Sequence, residues 1–174
     1  MDGYTIRLLN SLGEELADKG LTLCTAESCT GGLIGAMCTS QPGSSNWFRG
    51  GVVAYADAVK TGLLRVDPLI LRKHGAVSEA VVEAMLRGAT QACGAECAIA
   101  ISGVAGPDGG SPDKPVGTVV IGTALPPAFA GGDAVYSVKT HSFDGARAMV
   151  RMSAALEALH SMHEQLKRRG RGEL

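Results

Sequence analysis

No stretch of the 174 residues is long and apolar enough to span a bilayer. The opening Met1-Asp2-Gly3-Tyr4 lacks the basic region and apolar segment of a secretory signal. Five cysteines, an odd number, make a disulfide framework a poor expectation. A reducing cytoplasm is the compartment these absences point to. Excess charge is missing as well: a net charge of −1 gives no general attraction to nucleic acid or to an anionic membrane. Neither G-x-G-x-x-G nor G-x-x-x-x-G-K-[ST] occurs, so the dinucleotide and P-loop signatures are absent. There is no G-x-S-x-G elbow. Cys93 with Cys97, and His160 with His163, make close pairs without partners at zinc-like spacing, so no metal and no other cofactor is expected. Ser111-Pro112-Asp113-Lys114 and Lys60-Thr61-Gly62 match S-x-x-K and K-T-G, but in the wrong order and with the first in a proline-rich loop; we read both as coincidence. Aromatic residues make up 4%, and Trp47 and Phe48 read as core or interface anchors rather than base-stacking groups.

What is present describes one globular domain over 1–174, with about 165–174 as a frayed basic tail. Hydrophobic residues make up 45% and charged residues 19%, enough to bury a core without disulfides or metals. The chain is organised around Ala26-Glu27-Ser28-Cys29-Thr30-Gly31-Gly32. An apolar run over 21–24 before it reads as a strand, and Leu33 to about Thr39 reads as a helix. A strand, a tight turn and a helix N-terminus together offer unpaired N–H groups to an anion or an oxyanion. The same residues also suit a structural role, with Ser28 and Thr30 as N-caps and Glu27 facing the helix dipole.

Along the rest of the chain, Leu8, Leu12 and Leu16 mark an amphipathic helix over 4–18, closed by Lys19-Gly20. Gly43-Ser44-Ser45 is either a small anion-binding nest or an ordinary turn. Residues 50–55 read as a strand with Tyr55 at its C-terminal end, and Asp57 as the cap of a helix carrying Lys60. Pro68 to His74 is a short helix, and Ser78 starts a longer one that Gly94 closes. The near-continuous apolar run 97–101 is a central strand, leading into the glycine-rich Ser102-Gly103-Val104-Ala105-Gly106. Residues 116–124 and 134–140 read as an antiparallel pair. Asp144 is placed to cap the last helix, with Met149, Met152, Leu156, Leu159, Met162 and Leu166 as its buried stripe. Arg147 in its first turn is unfavourable on dipole grounds and calls for a bound anion or similar cause.

Ser28, Tyr55, Lys60 and Ser102 all fall at or just past strand ends, so parallel strands would gather them on one edge. A serine with a lysine base is a workable nucleophilic pair. The chain resembles the CinA C-terminal domain family of nicotinamide-nucleotide amidohydrolases over nearly its whole length. The resemblance rests on the blocks Ala26–Gly32, Pro42–Ser45, Val53–Tyr55 with Lys60, Gly75–Ser78, Ser102–Gly110, Lys114–Thr118 and Phe143–Arg147. It implies a three-layer α/β/α sandwich around a mixed, largely parallel sheet. It also implies deamidation of nicotinamide mononucleotide to nicotinate mononucleotide, in pyridine-nucleotide recycling. Carried over by motif, Ser28 is the nucleophile, Lys60 its base and Tyr55 a proton-transfer partner. Ser102 stands where the family often has Thr, and Arg147 and Glu27 complete the site. Thr30, Gly31, Gly32, Ser44, Ser45, Gly103 and Gly106 join the expected substrate contacts. The oxyanion is expected on N–H groups of the turn after Ser28, with the phosphate on the glycine-rich loops and Arg147. The pyrophosphatase domain of larger CinA proteins has no counterpart in these blocks. A homodimer is expected from the apolar helix faces and Trp47. The alternatives are a non-catalytic nucleotide-binding or competence-linked interaction module, and an amidase for another small amide.

Overall fold

The computed structural model describes residues 1–127 and 133–170. Five strands form one sheet: β1 (Leu23–Glu27), β2 (Phe48–Val53), β3 (Cys97–Gly103), β4 (Thr118–Leu125) and β5 (Val135–Ser142), in the order β2-β1-β3-β4-β5. β2, β1 and β3 are mutually parallel, while β4 is antiparallel to both β3 and β5, as the 116–124 and 134–140 segments predict. Six α-helices are found among the described residues: α1 (Gly3–Asp18), α2 (Leu33–Thr39), α3 (Asp57–Gly62), α4 (Pro68–His74), α5 (Glu79–Cys93) and α6 (Arg147–Gly170).

The layering follows from the two-residue period of the strands. On β3, Cys97, Ile99 and Ile101 face a core shared with α1, α2 and α6, whereas Ala98 and Ala100 face a second core under α5. Large side chains on one face and small ones on the other let α5 lie close. A Cβ on Gly122 would come within 2.7 Å of Val82 Cγ1 and 2.9 Å of Leu86 Cδ1 on that helix. Helices on both faces of a mixed sheet make the three-layer α/β/α architecture.

Several local expectations are corrected. The buried face of α6 runs through Val150, Ala154, Ala155, Ala158, Leu159, Met162 and Leu166, while Met149 and Met152 are 60% and 44% exposed. The small-residue seam Ala154-Ala155-Ala158 rotates the contact stripe off those two methionines. Asp144 does not occupy the cap position, because Ala146 supplies the first carbonyl, accepting from Val150 N–H. Ala56, not Asp57, is the cap residue of α3. Trp47 is only 5% exposed and packs in the α1/α6 core, so it gives no reason to expect a dimer.

Candidate active site

The C-terminal ends of the three parallel strands meet at one edge of the sheet, where ligands of open α/β sheets bind. The corner after β1 is held from both sides. Ser28 N–H donates to Ile101 O of β3 at 3.0 Å, and Glu27 O accepts from Ala54 N–H at 2.7 Å. A pocket of about 190 Å³ opens there, lined by Ser28, Cys29, Tyr55, Asp57, Lys60, Ala76, Val77, Ser102, Gly103, Ala105 and Arg147. That is smaller than the roughly 300–1,000 Å³ of pockets that swallow a drug-sized ligand. It fits the reacting end of a substrate, with the remainder along the rim. A larger groove of about 380 Å³ lies between β4, β5 and α6, but it gathers no hydroxyl with a buried lysine.

Lys60 is 1% exposed, the least expected environment for a lysine. Its Nζ donates to Asp57 Oδ1 at 3.1 Å and to Tyr55 O at 3.4 Å. These two acceptors take two of the three directions at Nζ and leave the third unpaired among the described residues. Ser28 is buried and lines the same pocket, and no hydrogen bond holds its hydroxyl among the described residues. Ser102 Oγ donates to Ala76 O at 2.8 Å, which ties the end of β3 to the segment before α5. No histidine lines the pocket.

Tyr55 is 61% exposed and stands at the rim, where its hydroxyl accepts from Arg147 Nη2 at 3.1 Å. Arg147 Nη1 donates to Gly106 O at 2.7 Å. These oxygen acceptors hold the cation in the first turn of α6 despite the dipole. Cys29 adjoins Ser28, but burial pushes its thiol up to about 11, against the opposing pull of the Cys29 and Thr30 N–H groups and Arg151. A thiol held neutral offers no thiolate to act as a nucleophile or a metal ligand.

Other expected site residues are elsewhere. The Glu27 carboxylate faces away from the pocket into the start of α2, accepting from the N–H groups of Gly32 (3.0 Å), Ile34 (3.1 Å) and Gly35 (2.8 Å). It serves as the acceptor for the N-terminal turn of that helix, whose cap residue is Gly32. Gly31 and Gly32 shape the turn, at φ +62° and +92°, and do not line the pocket. Thr30 is fully buried, and its hydroxyl has no partner among the described residues. Ser44 and Ser45 sit in a 3₁₀ turn just before β2, at the opposite edge of the sheet, because β2 runs parallel to β1 and enters there. Asp57 and Arg151 were missed by the sequence reading. Arg151 Nε donates to Cys29 O at 3.1 Å and Nη2 to Thr30 O at 2.6 Å. Its signal was the four-residue spacing from Arg147, which puts two cations on one face of the N-terminal turns of α6.

A family profile described as the CinA C-terminal domain matches residues 6–166. The nicotinamide-nucleotide amidohydrolase PncC of Pseudomonas putida is 48% identical over 162 residues, covering 93% of this chain and 96% of that protein. A putative competence-damage inducible protein of Symbiobacterium thermophilum is 47% identical over 161 residues, but this chain spans only 38% of its length. A competence-damaged protein (CinA) superfamily structure from Klebsiella pneumoniae superposes with a TM-score of 0.85 at 35% identity, covering 94% of this chain and 98% of that one.

Proposed function

The chain belongs to the CinA C-terminal domain family, and from that premise we propose that it is a serine amidase that converts nicotinamide mononucleotide and water to nicotinate mononucleotide and ammonia. The observation that carries this reading is a fully buried lysine sharing one small pocket with an unengaged serine hydroxyl. The relative named as a nicotinamide-nucleotide amidohydrolase supports the choice of substrate.

In the proposed reaction Ser28 Oγ bonds to the carboxamide carbon and passes its proton to the Lys60 amine. As the tetrahedral intermediate collapses the C–N bond breaks. The amide nitrogen leaves as ammonia after taking a proton from Lys60, or from Tyr55 at the rim, which then regains it from Lys60. Lys60, neutral again, takes a proton from the water that attacks the acyl ester and returns it to Ser28 Oγ as the ester C–O bond breaks and the acid leaves. Asp57 keeps Lys60 in place through the 3.1 Å contact. Ser102 and Gly103, on the strand next to the one that leads into Ser28, line the same pocket. Arg147, exposed at the mouth, is suited to the substrate phosphate, since a guanidinium already donating to neutral oxygens gains more from an anionic one.

The test is ammonia release by the purified protein with nicotinamide mononucleotide and, separately, with free nicotinamide. The wild-type protein is expected to turn over the mononucleotide in preference. Ser28→Ala is expected to lose the activity and Cys29→Ala to keep it. Normal ammonia release by Ser28→Ala would remove the serine mechanism. No release by the wild type would favour a binding module.

A further inference from the structure

Arg151 lies one helical turn beyond Arg147 and outside the pocket lining. Its guanidinium nevertheless grips the turn that carries Ser28, through the carbonyls of Cys29 and Thr30. A planar fork spanning two consecutive carbonyls is a geometry that a lysine cannot reproduce.

The consequence comes from the rigidity of the peptide unit. In a trans peptide the C=O and N–H are coplanar and point to opposite sides. The one cis bond among the described residues is Gly106–Pro107, so the bonds of this turn are trans. Holding Cys29 O toward α6 therefore turns the Thr30 N–H away from α6. Holding Thr30 O does the same for the Gly31 N–H, which closes the turn onto Ser28 O at 3.1 Å. The N–H groups of Cys29 and Thr30 donate to no oxygen among the described residues. Cys29 lines the pocket beside Ser28. The N–H groups of Gly32, Ile34 and Gly35 are already taken by Glu27.

We propose that Arg151 is a positioning residue which aims the Thr30 N–H, beside that of Cys29, at the oxygen of the tetrahedral intermediate. The proposal rests on the serine-amidase reading. As Ser28 Oγ bonds to the carboxamide carbon, the electron pair of the carbon–oxygen π bond moves onto oxygen, and the two N–H groups receive that charge. Arg151 touches neither the substrate nor the reacting atoms. It holds the peptide planes from behind.

The experiment compares wild type, Arg151→Gln and Arg151→Lys in two assays: ammonia release from nicotinamide mononucleotide, and the rate at which a fluorophosphonate labels Ser28, read by intact-protein mass. Misdirecting one oxyanion donor lowers kcat by about 10- to 100-fold, with KM changed by a factor of about two or less. Labelling slows by a similar factor, because the phosphoryl oxygen uses the same donors. Arg151→Lys falls between the other two, and it carries the comparison if Arg151→Gln does not fold. A raised KM at unchanged kcat, or equal labelling rates, overturns the proposal. If the wild type releases no ammonia, the amidase reading fails by itself. The labelling rates then still decide on Arg151, with equal rates or an unlabelled wild type counting against it.

Discussion

Lys60 shows what burial does to the meaning of a residue. Read along the chain it is an ordinary lysine on a short helix. In the fold its stem and amine are both covered, and Asp57 and Tyr55 O are its hydrogen-bond acceptors. Replacing it with methionine keeps the volume and removes a charge that costs free energy to bury. Lys60→Met is therefore expected to melt at or above the wild-type temperature while kcat for ammonia release falls by roughly 10²–10⁴, the range for losing a general base. Calorimetry beside the kinetic assay checks both halves. Retained turnover in a folded Lys60→Met protein would end the base assignment. That Ser28 and Lys60 line one pocket was readable from strand-end positions. The Asp57 contact was not, since a residue opening a helix reads equally as a cap or as the partner of a side chain three residues on.

At the scale of the element, the corner between β1 and α2 is held by Glu27. The carboxylate is buried, and three backbone N–H groups of the α2 terminus converge on it. Removing an ionised acceptor from buried donors costs about 2–4 kcal/mol, and in a domain of this size Tm moves by about 2–4 °C per kcal/mol. Glu27→Ala is thus expected to lower Tm by roughly 5–15 °C, with activity falling because the Ser28 turn loosens. A raised KM with an unchanged Tm would instead return Glu27 to the substrate. The sequence allowed both readings of Glu27, since it sits where a helix dipole and a substrate would each welcome a carboxylate. The side-chain direction decided between them. α6 teaches the same point. Its helical period was plain, but which of two adjacent stripes faces the core depended on how closely Ala154, Ala155 and Ala158 let it approach.

For the whole molecule, the buried thiols set a limit on stability at high pH. Burial pushes Cys29 up to about 11 and Cys38 and Cys97 up to about 12, and raises Cys24 further. Their unfolded value is 9.0. A raised pKa means that the folded chain keeps protons which the unfolded chain releases. The contribution is whole below pH 9 and is lost as pH rises through the folded values. Stability is expected to fall above pH 9 by up to about 1.4 kcal/mol per pH unit for each such thiol. Urea melts from pH 8 to 11 measure this, and Cys38→Ala should flatten the slope; an unchanged slope would show that the thiols are not its source. The same two-sided burial separates what the chain alone determined from what folding added. Element order, the alternation of large and small residues on β3, and the two loops carrying Ser28 and Ser102 are properties of local pattern, and periodicity exposes them without coordinates. Which loops share an edge is a property of strand direction and order. The β2-β1-β3 arrangement put Tyr55 and Lys60 beside Ser28, left Ser44 and Ser45 at the far edge, and brought Arg151 from 122 residues away onto Cys29 O. Contacts between residues so distant in sequence leave no local period to read, so only the packed sheet and its covering helix could assign them.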